Sequence, residues 1–373
     1  MGNSNIIELD KVVIKFAGDS GDGMQLTGSQ FTETSALFGN DVATFPDFPA
    51  EIRAPQGTIA GVSGFQVHIG RIEINTPGDA ADVLVAMNPA ALKSNLAFLE
   101  AGKTIILDID TFKKKDLNKA GFETNPLEDG SMDSFSIIEA PISSMTRESL
   151  IDVGLDNKSM MRCKNMFALG MVYWMFSRPL DNTLSFLNTK FKNKPEIIEA
   201  NTKALKAGYN FAETIEALPS AYTVLPASLE KGIYRNIMGN QATAWGFLAA
   251  TEHSGRKLFL GAYPITPASD ILHELTKHKY FGVTTFQAED EIAAICASIG
   301  ASFAGALAVT TTSGPGLALK GEAIGLAMMA ELPIVVVDIQ RGGPSTGLPT
   351  KTEQSDLMQA VYGRNGECPT IVL

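Results

Sequence analysis

Cysteine is scarce in this chain. Three residues, Cys163, Cys296 and Cys368, are spread over 373 positions with no CxxC pair. They are too few and too far apart for a four-thiolate metal or iron–sulfur site built from this chain alone. Histidine is equally thin, and His68, His253, His273 and His278 lack the spacing of metal ligands. The last two, five positions apart, fall on different helix faces. A basic surplus is also missing: 30 Lys and Arg stand against 41 Asp and Glu, a formal net charge of −11. That balance argues against a nucleic-acid partner, which needs an extended cationic face, though it leaves room for a local basic pocket. No apolar run reaches the roughly 18 residues of a membrane span. Acidic Glu8 and Asp10 interrupt the first apolar stretch, so Met1 to Leu9 does not read as a signal peptide. A soluble cytoplasmic protein is the expectation.

What is abundant is glycine, 34 residues of it, in a chain 45% hydrophobic and only 19% charged. Many tight connections and a lightly charged surface suit an α/β protein of two or three domains. The first half opens with a strand, Lys11 to Ala17, then Gly18-Asp-Ser-Gly21-Asp-Gly23, then a helical pattern from Met24. Strand, glycine turn and helix start make an anion-binding geometry. Asp19 and Asp22 would repel a phosphate there, and no acidic ribose reader follows about 20 residues on. The turn is therefore either a weak nucleotide site or a packing connection. Asp41 to Gly70 is rich in glycine and proline, and Arg53 and Gln56 stand in a long loop before a strand at Val62 to Ile69. Asp82 to Asn88, the helix Pro89 to Ala101 and Thr104 to Asp108 form a βαβ unit. A further strand is expected at Phe135 to Glu139 and an apolar helix at Lys164 to Phe176, with Tyr173 and Trp174 in core or interface. Between Arg178 and Leu229 amphipathic stretches rich in Lys, Asn and Glu give way to Leu218-Pro219 and Leu225-Pro226, where a domain boundary is placed.

In the second half, Lys231 to Ala250 reads as a helix. The strand Leu258 to Leu260 runs into Gly261, Pro264 and Pro267, and Ser269 and Asp270 open a helix. Strand Val283 to Gln287 precedes EDEIAAICASIGASF, whose buried stripe is expected to be Ile292, Ile295, Ile299 and Phe303, with Cys296 filling a helix core. Strands Ala306 to Thr310 and Ile334 to Ile339 end in TTSGPG and QRGGPSTG. Four strands thus end in loops carrying Thr266, Glu289, Ser313 and Arg341. In a parallel sheet those carboxyl ends share one edge, where small anionic ligands bind. Arginine offers a bidentate fork to a carboxylate, and threonine hydroxyls complete its hydrogen bonds. The other reading of Arg341 is a salt bridge to an internal carboxylate. No Ser/His/Asp arrangement or inward-facing pair of glutamates is visible, which leaves hydrolase chemistry without machinery.

At these residues the chain resembles the 2-oxoacid:ferredoxin oxidoreductases, thiamine-diphosphate and iron–sulfur enzymes that oxidatively decarboxylate 2-oxoacids to acyl-coenzyme A. GAYPITPASD, QAEDEIAAI followed by TTSGPG, and QRGGPSTGLPTKTEQSDL stand in that order. The resemblance implies a gamma-type α/β domain at 1–190, a helical segment and linker at 191–228, and a pyrimidine-binding-type alpha domain with an open, mostly parallel sheet at 229–373. That last domain is expected to be truncated, since the family normally continues beyond this point. By the same resemblance Tyr263 and Thr266 lie on the substrate-side YPITP loop and Arg341 grips the oxoacid carboxylate, with Thr350 a weaker candidate. Glu289 matches the glutamate facing N1′ of thiamine diphosphate, with Glu291 only two places away. Ser313 and Gly314 line the cofactor. The GDSGDG turn departs from the family's richer GxGGQG loop, which puts a direct phosphate role there in doubt.

The resemblance assigns the missing parts to a beta subunit: the Mg2+-diphosphate motif, a 4Fe–4S cluster and the handover to ferredoxin. Thiamine diphosphate would be shared between the chains, coenzyme A would be co-substrate, and a dimer of alpha-beta units is implied. 2-Oxoglutarate is the expected substrate, with pyruvate or a branched-chain oxoacid as alternatives; a second substrate carboxylate would need a further cation, Lys351 or one from the partner. Two readings of other classes stay open, a nucleotide-dependent oxidoreductase using Gly18 to Gly23, and a non-catalytic scaffold.

Overall fold

The computed structural model describes residues 5–50, 54–215, 220–343, 345–347, 350–364, 366–368 and 370–373. Arg53, Leu218-Pro219, Pro344 and the Leu348-Pro349 step of the third motif lie outside the described residues. The chain divides into two compact units, Met1–Asn236 and Ile237–Leu373.

The first unit holds strands β1 (Asn5–Glu8), β2 (Lys11–Asp19), β3 (Asp41–Asp47), β4 (Val62–Gly70), β5 (Ala81–Ala86), β6 (Leu99–Asp108), β7 (Ser136–Ala140) and β8 (Ser220–Thr223). Six of them form one sheet in the order β3-β4-β2-β5-β6-β7, while β1 and β8 pair separately. β2, β5, β6 and β7 run parallel, and β4 lies antiparallel to both β2 and β3. All nine residues of β4 are buried, because helices or loops cover both sheet faces. The strand expected at Val62 to Ile69 is β4, whereas β3 corrects the reading of the stretch before it as loop. Pro46 obscured it in the sequence, and the sheet tolerates that proline because β3 is an edge strand, where a missing N–H leaves no ladder bond unmade.

The helix Lys164–Met175 is buried on nearly every side, with Tyr173 fully enclosed as expected. Packed against it is the helix Pro195–Thr214. The two backbones meet at Gly170 and Gly208, where a Cβ would run into the Leu205 and Phe167 carbonyls. Pro195–Thr214, read from sequence as a lead-in to a linker, contributes Ala200, Ala204 and Leu205 to the core of this unit.

In the second unit β9 (Leu258–Ala262), β10 (Val283–Gln287), β11 (Leu307–Thr312) and β12 (Val335–Asp338) form a sheet of order β10-β9-β11-β12 in which every neighbouring pair is parallel. This is the open parallel sheet expected. The first helix begins at Gly239, not Lys231; the preceding Ile233 and Tyr234 are exposed, so no buried face holds them in a helix. The helix Glu291–Phe303 also differs from expectation. Its inward face is Glu291, Ala294, Ile295, Ser298, Ile299 and Ser302, whereas Ile292, Phe303 and Cys296 are exposed. Close approach to the sheet sets that phase. Gly261 of β9 lies so near the helix that a Cβ would strike the Ala294 carbonyl and Ser298 hydroxyl, so small residues face inward.

Candidate active site

Because the four strands of the second sheet are parallel, their carboxyl ends deliver four connections to one edge. After β9 the chain passes Tyr263, partly exposed, and Thr266, exposed, through a cis Thr266-Pro267 peptide. Ser269 ties the start of the next helix to this loop: its hydroxyl accepts from the Ile265 N–H at 3.0 Å and donates to the Ile265 carbonyl at 3.1 Å. Asn240 adds a hydrogen bond to the Pro267 carbonyl at 2.9 Å. The backbone of the YPITP loop is thus held by the side chains of Ser269 and Asn240.

Three of the expected residues converge on one atom. The Thr266 carbonyl accepts from Arg341 Nη1 at 2.9 Å and from the Ser313 hydroxyl at 3.5 Å. Arg341 is 7% exposed, its Nε has no hydrogen-bond partner, and it makes no ion pair among the described residues. Burial holds its guanidinium below the usual arginine range. An internal salt bridge, the competing reading, is therefore not what Arg341 makes. Thr350 is half-buried, and the adjoining Lys351 carbonyl accepts from the Gly342 N–H at 2.8 Å, which lays the two strands of that loop side by side. Ser313 and Gly314 are fully or largely buried. They seat the loops around them and present little surface of their own.

The helix start after β10 carries three acidic residues in three different settings. Glu289 is exposed on the link between strand and helix. Asp290 is the N-cap, its Oδ1 accepting from the Ala293 N–H at 2.7 Å. Glu291 is 6% exposed, and its carboxylate makes no hydrogen bond among the described residues. Beside it, Gly316 approaches so closely that a Cβ would strike the Thr312 hydroxyl and sit 2.8 Å from Glu291 Cγ. Lys320, wholly buried, donates to the Glu291 carbonyl and to Thr310 Oγ1, both at 3.0 Å. Burial lowers Lys320 to about 8, partly offset by the Glu291 charge. Sequence reasoning missed Lys320 and had Glu291 only as a neighbour to be confused with Glu289. The 3.6-residue phase of the small residues was the signal that would have found Glu291.

This donor set suits an aminopyrimidine: a shielded carboxylate at a helix start with no hydrogen-bond partner among the described residues, next to a backbone kept bare by glycine. In the first unit the GDSGDG turn is closed by its own side chains. Asp22 accepts from the Asp19 N–H at 3.0 Å and pairs with Lys164 at 2.9 Å, while Asp19 takes the Gly57 N–H at 3.1 Å. Burial raises Asp19 above the usual carboxylate range, opposed by that Gly57 bond. These carboxylates occupy the helix start a nucleotide phosphate would need.

The loops at the edge of this parallel sheet and the first unit fall within two matches to one family, and those matches define the class. Residues 253–373 match the pyruvate flavodoxin/ferredoxin oxidoreductase, thiamine diP-binding, domain and residues 13–211 match pyruvate ferredoxin/flavodoxin oxidoreductase. The chain belongs to the pyruvate ferredoxin/flavodoxin oxidoreductase family. Among curated relatives it is 57% identical over 365 residues to 2-oxoglutarate oxidoreductase subunit KorA of Mycobacterium tuberculosis, covering 98% of this chain and 56% of the relative. It is 49% identical over 138 residues to 2-oxoglutarate synthase subunit KorA of Archaeoglobus fulgidus, covering 37% of this chain and 38% of that one. Among solved structures it resembles the 2-oxoglutarate:ferredoxin oxidoreductase of Magnetococcus marinus with 2-oxoglutarate, coenzyme A and succinyl-CoA bound. That likeness has a TM-score of 0.77 at 33% identity and covers 97% of this chain and 57% of the other. The chain spans little more than half the length of the longest-matched relatives. Among the described residues, no helix is long and apolar enough to cross a membrane.

Proposed function

We propose that this chain carries the gamma-type domain (1–190) and the pyrimidine-binding-type domain (229–373) of the alpha subunit of a 2-oxoglutarate:ferredoxin oxidoreductase. The reaction is oxidative decarboxylation of 2-oxoglutarate with coenzyme A to succinyl-CoA, CO2 and reduced ferredoxin. The observation that carries the reading is Arg341, a buried guanidinium with an unpartnered Nε and no carboxylate among the described residues, anchored to the YPITP loop. A 2-oxoacid carboxylate is the ligand that completes it. The named substrates of the relatives favour 2-oxoglutarate over pyruvate.

Thr266 hydrogen-bonds the oxoacid, Tyr263 flanks it, and Thr350 and Lys351 stand on the far side of the loop. Thiamine diphosphate, when bound, supplies the electron sink for the breaking bond to the carboxylate. This chain's part is to hold the pyrimidine N1′ proton. Of the two glutamates, the assignment moves from Glu289 to Glu291. Its support is burial, position on the inward helix face and a carboxylate with no hydrogen-bond partner among the described residues, while exposed Glu289 would be screened by water. Ser313 and Gly314 shape the wall. A beta subunit completes the site with the Mg2+-bound diphosphate and the 4Fe–4S cluster, passes electrons to ferredoxin, and pairs with this chain in a dimer of alpha-beta units in the cytoplasm.

The test is to copurify the full-length protein with its beta subunit. Oxoacid- and coenzyme A-dependent reduction of a low-potential acceptor is then measured over a panel of oxoacids. A clear preference for 2-oxoglutarate is expected. Equal rates with pyruvate would overturn the substrate assignment, and unchanged turnover in Arg341→Ala would overturn the site.

A further inference from the structure

Behind the substrate loop lie two carboxyl groups that no catalytic role uses. Asp338 ends β12, opposite Thr312 of β11. Asp356, 4% exposed, stands just before the helix Leu357–Tyr362. Asp338 is within hydrogen-bonding reach of Asp356. Oδ1 of Asp338 and Oδ2 of Asp356 are both buried, and neither receives a hydrogen bond from a donor among the described residues. Two neighbouring buried carboxyl groups, each with an oxygen that no donor reaches, are served by a proton held between them. The other Asp356 oxygen accepts from Gln340 Nε2 at 2.6 Å. Gly314 makes room for the orphaned oxygen, since a Cβ there would sit 2.7 Å from Asp356 Oδ2.

This pair reaches Arg341 through the chain. Gln340, immediately before it, is pinned by Asp356, and Gly342, immediately after it, is pinned by the Lys351 carbonyl at 2.8 Å. Arg341 is thereby suspended between two fixed points with Nη1 on the Thr266 carbonyl. Resting on the assignment of Arg341 above, we propose that Asp338 and Asp356 share one proton and are positioning residues for Arg341, so that loss of that proton releases the loop and weakens oxoacid binding. Burial and the neighbouring Asp356 charge raise Asp338 to about 8, which puts the release in the alkaline range. The surrounding elements bring few other charges. β11 offers Thr312 and Ser313, the next helix start offers Gly314, and the loop offers neutral Gln340 and the cation Arg341. Asp356 is the one titratable group that shifts Asp338.

The experiment uses the assembled complex with its beta subunit. KM for 2-oxoglutarate in the wild type is expected to rise about tenfold between roughly pH 7 and pH 9, with a smaller change in kcat, as the shared proton is lost. In Asp338→Asn the amide donates to Asp356 permanently, so the rise should flatten and KM at pH 9 should fall below that of the wild type. Asp356→Asn should flatten it in the same way, whereas Asp338→Ala, which supplies no donor, should have a high KM at every pH. An infrared difference spectrum across the same interval should show a protonated-carboxyl C=O band in the wild type that both Asn variants lack. A flat wild-type profile, or an unaltered rise in Asp338→Asn, overturns the positioning role. Absence of the band overturns the shared proton. Presence of the band with KM untouched in Arg341→Ala overturns the carboxylate fork instead, so the two failures are separable.

Discussion

Substituting Glu291 and Glu289 separately with glutamine tests the site at its most exacting point. Glu291→Gln keeps the shape of a side chain packed beside Gly316, where a Cβ would already lie 2.8 Å from Cγ, so no cavity opens and no atom is forced in. It also spares the main-chain carbonyl of residue 291, and so both Lys320 hydrogen bonds survive. What disappears is the charge. Loss of a positioned proton-handling group costs about 10²–10⁴-fold in rate, equivalent to ~3–5 kcal/mol of transition-state stabilisation. The expectation is therefore a fall of that size in oxoacid-dependent acceptor reduction by the assembled complex. Thermal denaturation should shift by only a few degrees, because the remaining loss is the attraction between Glu291 and a lysine held at about 8. Glu289→Gln changes an exposed side chain and should leave turnover within about twofold. If Glu291→Gln kept more than a tenth of wild-type activity, or if Glu289→Gln fell as far, the assignment by burial would be wrong.

Other substitutions probe the remaining parts. Arg341→Lys loses the planar fork and should raise KM for the oxoacid about 10- to 100-fold, as expected for a charge-assisted bond worth ~1.5–3 kcal/mol, with a smaller effect on kcat. Gly208→Ala puts a methyl group into the Phe167 carbonyl and should destabilise the first unit by about 1–3 kcal/mol in chemical denaturation. Asp338 has a folded pKa of about 8 against 3.8 unfolded. The native state thus holds a proton that the unfolded chain has lost, and stability from this group is full below about pH 4 and lost as pH rises through 8. Asp338→Asn should reduce the fall in denaturation midpoint between pH 5 and pH 8; an identical fall in both proteins would refute the shift. Cys163, whose thiol burial pushes up to about 11, should resist alkylation near pH 8 until the protein is unfolded, as mass spectrometry of labelled peptides would show.

Much of the second sheet was legible because its strands are short apolar or β-branched runs, most of them followed within a few residues by glycine or proline, and those endings are also where the functional loops start. Thr266, Ser313 and Arg341 were recognisable for that reason, and the structure brings them to one carbonyl. The finer geometry was hidden. β3 escaped notice because its proline and flanking aspartates mimic a loop, and only its place at the sheet edge makes them compatible with a strand. The inward face of Glu291–Phe303 was misphased because bulk was taken as the marker of burial. Contact with Gly261 demands small groups there, leaving Ile292 and Phe303 outside. That same phase separates Glu291 from Glu289. Asp338 and Asp356 are 18 positions apart and only the return of the loop makes them neighbours, so no local pattern announces them.

The excursion from Asp338 to Asp356 leaves and rejoins the fold at nearly one spot, like a purse drawn shut at its neck. Ser345 and Thr346, exposed along its course, can be rewritten without tugging on the sheet beneath. Libraries confined to those two positions and Thr350 are thus the economical route to a changed appetite among oxoacids, with the drawstring residues left alone.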